Sequence, residues 1–299
     1  MIKNKPTHST GTIKKKILFV LGFALIVYLI FLYFPYYLFA PHHGEVETKK
    51  NEQNTVPQEV THAHPVASSS ASYEIPILMY HYVEIVKDPK DTIRQSLDIL
   101  PNAFAAQVQT LKQNNFTFLT MAEVADIIDG VMPLPKRPVV ITFDDGYRDF
   151  YTDVFPIITK EKIPVVAYLV PGFFDQPNYL LTSQVKEIAK SPYVEIGAHT
   201  MHHVWLKGVS PVFAQREIAQ SKYQLEDLIH KPVVSFAYPY GAFDNNAIDL
   251  VKKAGFRTAV STIPGMQVTQ ENRFFLFRIR PGYRTGMELV DALLSPSAQ

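Results

Sequence analysis

The sequence predicts an α/β fold, a distorted or incomplete (β/α) barrel of about seven βα units preceded by one N-terminal transmembrane helix. Three observations predict this architecture. From Tyr73 onward, short runs rich in Val and Ile alternate with amphipathic stretches, which is typical of a parallel sheet covered by helices. About seven such units in roughly 220 residues suit one barrel better than two domains. Near the N-terminus, the apolar run from Ile17 to Phe34 contains no charged residue.

The N-terminal apolar run is predicted to belong to a signal anchor at residues 17–38. At about 1.5 Å per residue it can cross a hydrocarbon core of roughly 30 Å, and tyrosines at its far end suit the bilayer interface. Three lysines precede the run and none follows it closely. We therefore expect a short cytoplasmic N-terminus (residues 1–16), a single-pass location in the cell membrane, and the rest of the chain outside the cytoplasm. A cleaved signal peptide is the alternative.

The remainder divides into a flexible tether at residues 39–72 and a globular domain at residues 73–299. The tether is polar and shows no sustained period of 2 or 3.6 residues. The formal net charge of +1, without a basic face, predicts no nucleic-acid partner, and no feature predicts a protein partner. The chain has no cysteine, which excludes disulfides, thiol nucleophiles and thiolate metal sites. Any metal must therefore be held by nitrogen and oxygen ligands.

Within the globular domain, hydrophobic periodicity predicts both strands and helices. The predicted strands are 75–81, 116–119, 139–143, 165–170, 194–198, 233–237, 258–261 and 276–279. The predicted helices are 104–114, 121–128, 153–160, 183–189, 211–228 and 245–254. In the helix 211–228, apolar residues such as Phe213, Tyr223 and Leu225 are spaced for one buried face, with charged residues including Glu217 between them.

Two adjacent carboxylates follow the strand 139–143. The segment runs Thr142-Phe143-Asp144-Asp145-Gly146, and neighbouring carboxylates at a strand end repel each other unless a cation or a proton separates their roles. One acid could bind a metal while the other acts as a base. Asp-Gly is also common in ordinary turns, so this motif alone does not indicate a site.

A histidine cluster follows the strand 194–198. His199 and His203 are spaced so that both imidazoles can reach one cation if the chain turns after the strand, and His202 is an alternative ligand. Two histidines and one carboxylate form the ligand set of a catalytic metal with open positions. A third segment, Tyr238-Pro239-Tyr240-Gly241, follows the next strand, and its backbone N–H groups could face a developing oxyanion. By itself this segment reads as a simple turn.

Together these segments resemble the first three motifs of the polysaccharide deacetylase (NodB-homology) family, carbohydrate esterase family 4. The matching phrases are Thr142–Gly146, His199-Thr200-x-x-His203 and Tyr238–Gly241, in the family's order and each at a predicted strand end. Leu78-Met79-Tyr80-His81 and Phe236–Gly241 resemble the branch that includes poly-N-acetylglucosamine deacetylases. The resemblance covers residues 75–283.

The resemblance implies a role for each matching residue. Asp145, His199 and His203 would hold a divalent metal, zinc first, with cobalt or nickel also accommodated. Asp144 would be the general base that deprotonates the attacking water, and the Tyr240 amide would stabilise the oxyanion. The sugar-binding side chains expected from the pattern are Tyr147, Pro239, Tyr240 and Trp205, with Phe173 as a weaker candidate.

The sequence also departs from the family pattern. The position two residues before Pro239, where an arginine often steadies the base, is Ala237, and the late Leu-x-His motif that supplies the usual acid has no match. We assign the steadying role to Arg280, with Arg278 as the alternative, because both lie at the end of the last predicted strand. His81 is the predicted general acid, with His202 as the alternative.

The predicted activity is removal of acetyl groups from an envelope or extracellular polysaccharide, most simply from N-acetylglucosamine units of peptidoglycan or poly-N-acetylglucosamine. Two alternatives stay open. One is an O-acetyl esterase acting on a xylan-type glycan, and the other is a catalytically weak glycan-binding protein on the same fold, because fold alone does not establish activity. A metalloprotease is set aside because the chain contains no HExxH motif.

Overall fold

Eight parallel strands form a sheet that closes almost completely on itself. The computed structural model describes residues 71–294. The predicted cytoplasmic N-terminus, the signal anchor and nearly all of the tether therefore lie outside the described residues. Within residues 71–294, no helix combines the length and apolar composition needed to cross a bilayer.

The strands of the described part are short and mostly buried. Eight of the ten overlap the predicted strand positions, and the longer ones are rich in Val and Ile, which favour strands. The ten strands of the described part are β1 (Ser72–Glu74), β2 (Ile77–Tyr80), β3 (Thr117–Leu119), β4 (Pro138–Phe143), β5 (Val165–Leu169), β6 (Val194–Ala198), β7 (Ser235–Ala237), β8 (Thr258–Pro264), β9 (Gln267–Thr269) and β10 (Leu276–Arg278). The short strands β1 and β9 form a separate antiparallel pair that the sequence did not predict.

The sheet has the strand order β2-β4-β5-β6-β7-β8-β10, and β3 adds to β4. The last strand returns to the first: the Met79 amide donates to the Ile279 carbonyl at 2.8 Å, and the Ile279 amide donates to the Ile77 carbonyl at 2.9 Å. The predicted incomplete (β/α) barrel is confirmed. All the parallel strands point the same way, so their C-terminal ends form one face of the barrel.

The helices pack against this sheet and begin at recognisable capping residues. Thr120 and Glu123 form a capping box at the start of one helix, and Ser210 followed by Pro211 begins the longest. The helices are α1 (Thr92–Leu97), α2 (Pro101–Gln113), α3 (Met121–Ile128), α4 (Phe155–Glu161), α5 (Thr182–Ile188), α6 (Pro211–Ile229), α7 (Asn245–Lys253) and α8 (Gly286–Leu294). The sequence did not predict α1 and α8.

The buried face of α6 differs from the prediction. Tyr223, expected in the core, is 69% exposed, whereas Glu217, expected at the surface, is 2% exposed. The residues of α6 that are actually buried are Ala214, Glu217, Ile218, Ser221 and Leu225. Glu217 lies on the apolar face because its carboxylate has hydrogen-bond partners there, which offset the cost of burial.

Alternation along β4 explains why the first carboxylate of the motif points into the barrel. Val139, Ile141 and Phe143 belong to the large core cluster shared with the helices, whereas Val140 belongs to a smaller cluster on the other face of the sheet. Thr142 and Asp144 continue the Val140 series. Both are buried, and both meet the side chain of Arg278 from β10.

Candidate active site

Three predicted metal ligands converge at the C-terminal ends of β4 and β6. The Nε2 atoms of His199 and His203 lie 3.3 Å and 3.1 Å from Asp145 Oδ1. One ligand atom from each of the three residues lies within 4.8 Å of the other two. Asp145 and His199 are buried, and His203 is partly buried, so the group opens to solvent on the His203 side.

The hydrogen bonds behind the two imidazoles orient them toward a cation. His199 Nδ1 must donate to the Ala237 carbonyl, 2.7 Å away, because a carbonyl can only accept. The neutral ring then presents the Nε2 lone pair to Asp145 Oδ1, which is buried and has no hydrogen-bond partner among the described residues. Lone pairs facing each other in a buried site repel unless a positive charge lies between them. The residues therefore fit a divalent metal.

The charges of the group depend on each other. Burial opposes ionisation of Asp145, but the neighbouring imidazoles outweigh it and hold its pKa well below the usual range. Burial likewise opposes protonation of His199, but the neighbouring carboxylates of Asp145 and Asp144 outweigh it and raise its pKa overall. A negative centre surrounded by nitrogen lone pairs suits a metal with nitrogen and oxygen ligands.

The loops that carry the ligands hold unusual backbone conformations. Asp145, Thr200 and His203 all have positive φ values, at 74°, 61° and 53°. Residues other than glycine rarely adopt this region, and each instance costs about 1–3 kcal/mol. Such conformations persist only when the surrounding contacts determine them, and they cluster at functional sites.

Asp144 forms a bidentate ion pair with Arg278. Its two carboxylate oxygens accept from the guanidinium at 2.8 Å and 2.7 Å, and Arg278 also donates to the Ser261 carbonyl at 2.7 Å and to Thr142 Oγ1 at 3.1 Å. The side chains are 3% and 0% exposed. Burial opposes ionisation of Asp144, but Arg278 outweighs it and lowers the Asp144 pKa. Asp144 is therefore ionised at neutral pH and held in one orientation.

The prediction that Arg280 contacts and orients the Asp144 carboxylate is wrong. β10 ends at Arg278, whose side chain enters the barrel, whereas Arg280 lies beyond the strand end and is exposed. Arg280 instead lines a cavity of about 710 Å³ between the ends of β8 and β10 and the helix α8. The alternative, Arg278, is the residue that contacts Asp144.

His81 lies directly after β2, half-buried beside the same carboxylates. Burial lowers its pKa, the charges of Asp144 and Asp145 raise it, and Arg278 and Arg280 lower it further. The pKa is lowered overall. His81 is therefore near enough for the charges of Asp144 and Asp145 to act on its ring, and its role as the general acid stays a prediction.

Comparison with known proteins shows which proteins this chain is similar to. A family model described as polysaccharide deacetylase matches residues 132–259, a range that includes both carboxylates and the three candidate metal ligands. The chain is similar to YxkH of Bacillus subtilis (strain 168), with 28% identity over 207 residues, 69% of this chain and 71% of that protein. It resembles the solved structure of the Streptococcus pyogenes deacetylase PplD in complex with acetate, at 27% identity and a TM-score of 0.70, covering 76% of this chain and 100% of the other.

The chain is therefore similar to the polysaccharide deacetylase family. It is also similar to the poly-beta-1,6-N-acetyl-D-glucosamine N-deacetylase of Staphylococcus aureus (strain MRSA252), with 26% identity over 198 residues, 62% of this chain and 68% of that protein. His81 and Arg278 lie outside the range 132–259, so the arginine that contacts Asp144 comes from a strand that the family model does not match.

Two exposed aromatic residues lie beside the metal ligands. Tyr240 is 62% exposed, its hydroxyl is 3.1 Å from His203 Nδ1, and its φ of 59° turns the chain over the site. Trp205 is 52% exposed, with its ring centroid 6.1 Å from that of Tyr240. These are the two predicted sugar-binding residues that the structure leaves accessible.

The other two predicted sugar-binding residues are placed differently. Tyr147 is stacked against Tyr82, with ring centroids 3.9 Å apart, and against Tyr179 at 5.0 Å, so neighbouring tyrosines cover much of its ring and leave it only partly exposed. Pro239 is buried beneath the turn and shapes it rather than facing a ligand. The predictions of direct sugar contact through the Tyr147 ring and Pro239 are therefore corrected.

His202 does not join the metal ligands. Its Nδ1 lies 3.0 Å from the buried Glu217 carboxylate, and its side chain is 54% exposed. The metal-competent group that the described residues form contains His199 and His203 instead. Sequence reasoning missed Glu217, because a charged residue within an amphipathic helix gives no signal of burial.

Proposed function

We propose that this chain is a divalent-metal-dependent hydrolase that removes acetyl groups from the N-acetylglucosamine units of an envelope or extracellular polysaccharide. One observation carries the proposal: an ionised carboxylate, Asp144, is fixed by a buried arginine next to a carboxylate and two imidazoles that fit a metal. A non-catalytic binding protein needs neither the second carboxylate nor its arginine.

The proposed chemistry assigns a proton or a charge to each residue of the site. A divalent cation held by Asp145, His199 and His203 would supply Lewis-acid polarisation of the acetyl carbonyl and acidify water. Asp144 accepts the proton of the attacking water, and Arg278 keeps that carboxylate ionised and oriented. Zinc suits two imidazoles and one carboxylate best, and cobalt or nickel also fits.

The remaining steps fall to residues around the rim. The Tyr240 amide, in its left-handed turn, donates to the oxygen of the tetrahedral species as negative charge develops there. His81 then gives a proton to the departing amine nitrogen, so that the amine leaves in neutral form and acetate is the second product. The acid product forms as acetic acid and ionises to acetate by releasing a proton to solvent. Transfer of a proton from Asp144 through solvent to His81 restores both residues for the next turnover.

An amide substrate is supported by the similarity to the S. aureus poly-beta-1,6-N-acetyl-D-glucosamine N-deacetylase. Trp205 and Tyr240 would stack against sugar rings beside the metal, because flat apolar ring faces suit the faces of pyranose rings. We also propose that the signal anchor at residues 17–38 holds the domain at the outer surface of the cell membrane. Protease accessibility of the domain in intact cells tests this location.

The activity can be tested by acetate release from the purified full-length chain. The protein is stripped of metal, restored with zinc or cobalt, and offered N-acetylglucosamine oligomers, peptidoglycan and acetylated xylan, with Asp144→Asn as the matched variant. Metal-dependent acetate release from an N-acetylated glycan, abolished in Asp144→Asn, is the expected result. Release from acetylated xylan alone would indicate the esterase, and metal and glycan binding without acetate would indicate the binding protein.

A further inference from the structure

The loop that carries both metal-binding histidines, residues 199–203, is held between a helix and a turn. On one side lies α6, and on the other lies the turn Pro171–Phe173. The Gly172 amide donates to the Met201 carbonyl at 2.9 Å. A Cβ atom at Gly172 would lie 2.4 Å from that carbonyl oxygen and 2.7 Å from the His202 ring, so the turn and the loop are in close contact.

On the α6 side, Glu217 makes the polar contacts to the loop. The Met201 amide donates to the backbone carbonyl of Glu217 at 3.0 Å. The His202 amide donates to Glu217 Oε2 at 3.0 Å, and His202 Nδ1 lies 3.0 Å from Oε1. Both carboxylate oxygens are therefore used on a single loop residue.

The burial of Glu217 shows how strongly the fold depends on these contacts. Its side chain is 2% exposed on the apolar face of α6, where a carboxylate is costly unless it is fully hydrogen-bonded. The loop in turn contains two residues, Thr200 and His203, in left-handed conformations that are unfavourable without external contacts. Glu217 holds the His202 ring away from the metal-binding group, whose imidazoles come from His199 and His203.

We propose that Glu217 is a positioning residue that sets the affinity of the Asp145–His199–His203 group for its divalent metal. The inference rests on the proposed metal site. Glu217 does not touch the ligand nitrogens; it acts by fixing the backbone between them through His202. Groups that orient ligands from behind typically change metal affinity by about 10–100-fold when altered.

The test compares zinc dissociation constants of full-length variants by competition with a chromophoric chelator, together with the visible absorption spectrum of the cobalt-loaded protein. Glu217→Ala removes both acceptors, whereas Glu217→Gln keeps an acceptor for the His202 amide and can donate to His202 Nδ1 once the imidazole takes its other neutral tautomer. The matched control is Glu226→Gln on the same helix. Glu226 also accepts a backbone amide, from Val233 at 2.9 Å, and pairs with a side chain, Lys222 at 2.8 Å.

We expect zinc to dissociate about 10–100-fold more readily from Glu217→Ala, with an altered cobalt spectrum, whereas Glu217→Gln, which can keep both contacts, and Glu226→Gln stay close to the wild type. Circular dichroism and urea unfolding of the metal-free proteins establish that each variant is folded. If folded Glu217→Ala binds zinc as tightly as the wild type, or if Glu226→Gln loses as much affinity, Glu217 has no positioning role. If the wild type itself binds no metal, the proposed function fails instead, so the two failures are distinguishable.

Discussion

Replacing Arg278 by methionine should disable the base without touching the metal ligands. Arg278→Met removes the guanidinium that pairs with both Asp144 oxygens and leaves a carboxylate that is 3% exposed without this partner. Breaking a buried pair on one side costs about 3–5 kcal/mol in stability. The carboxylate can reduce this cost by taking up a proton, because burial raises its pKa and only the weaker effects of His199 and His81 then oppose it.

The sign of the effect on stability follows from this shift. In the wild type the Asp144 pKa is lowered on folding, so its contribution to stability is present at neutral pH and is lost as pH falls through the folded pKa. In Arg278→Met the folded pKa lies above the unfolded value, so stability is lost as pH rises. The difference in the free energy of unfolding between the two proteins should therefore be largest at neutral and alkaline pH and smallest at acidic pH below the folded Asp144 pKa of the wild type.

The assay is acetate release measured across pH, with urea unfolding of the same proteins. Since general-base catalysis contributes about 10²–10⁴-fold, we expect Arg278→Met to lose at least about 100-fold in kcat at pH 7 and to recover part of it at pH 9. The control is Arg280→Met, which removes a nearby arginine that is exposed. An unchanged acidic limb in Arg278→Met, or an equal shift in Arg280→Met, would refute the assignment of Arg278 to the base.

Three further predictions follow from other parts of the structure. Burial raises the pKa of Asp149 from 3.8 to about 7. The metal-free protein should therefore lose up to about 4 kcal/mol of stability as pH rises from about 4 to 7. Urea unfolding should show this dependence on pH, and Asp149→Asn should remove most of it. Removing the exposed ring in Trp205→Ala should raise KM for N-acetylglucosamine oligomers by about three- to tenfold and leave kcat nearly unchanged, whereas Val212→Ala, at another exposed apolar residue, should change neither. His81→Ala should lower kcat by about 10²–10⁴-fold and abolish the alkaline limb of the pH–rate profile, because an acid with a lowered pKa loses its proton as pH rises; an unchanged profile in this variant would exclude His81 as the acid.

The barrel and the metal ligands could be predicted from the sequence because both depend on local pattern. Val- and Ile-rich runs identify the strands, and strands of one parallel sheet bring residues such as Asp145 and His199 to a common face. The antiparallel pair of β1 and β9 could not be predicted, because strands of three residues carry too few positions to show a period.

The residues that sequence reasoning placed incorrectly share a different cause. Arg278 and Glu217 are charged side chains buried by long-range partners, and no local pattern distinguishes them from exposed charges such as Arg280. Tyr147 is covered by Tyr179, which lies in a loop whose path the local sequence does not define. The contacts that decide these cases join residues far apart in the chain.

The ion pair between Asp144 and Arg278 also constrains when the protein can become active. The two residues are 134 positions apart, and Arg278 is the last residue of the strand that closes the sheet. A chain that has folded only as far as β8 would already hold the three metal ligands, but it would lack the cation that keeps its base ionised. Hydrolytic capacity should therefore emerge in a single late event, when β10 docks between β8 and β2 and completes the barrel.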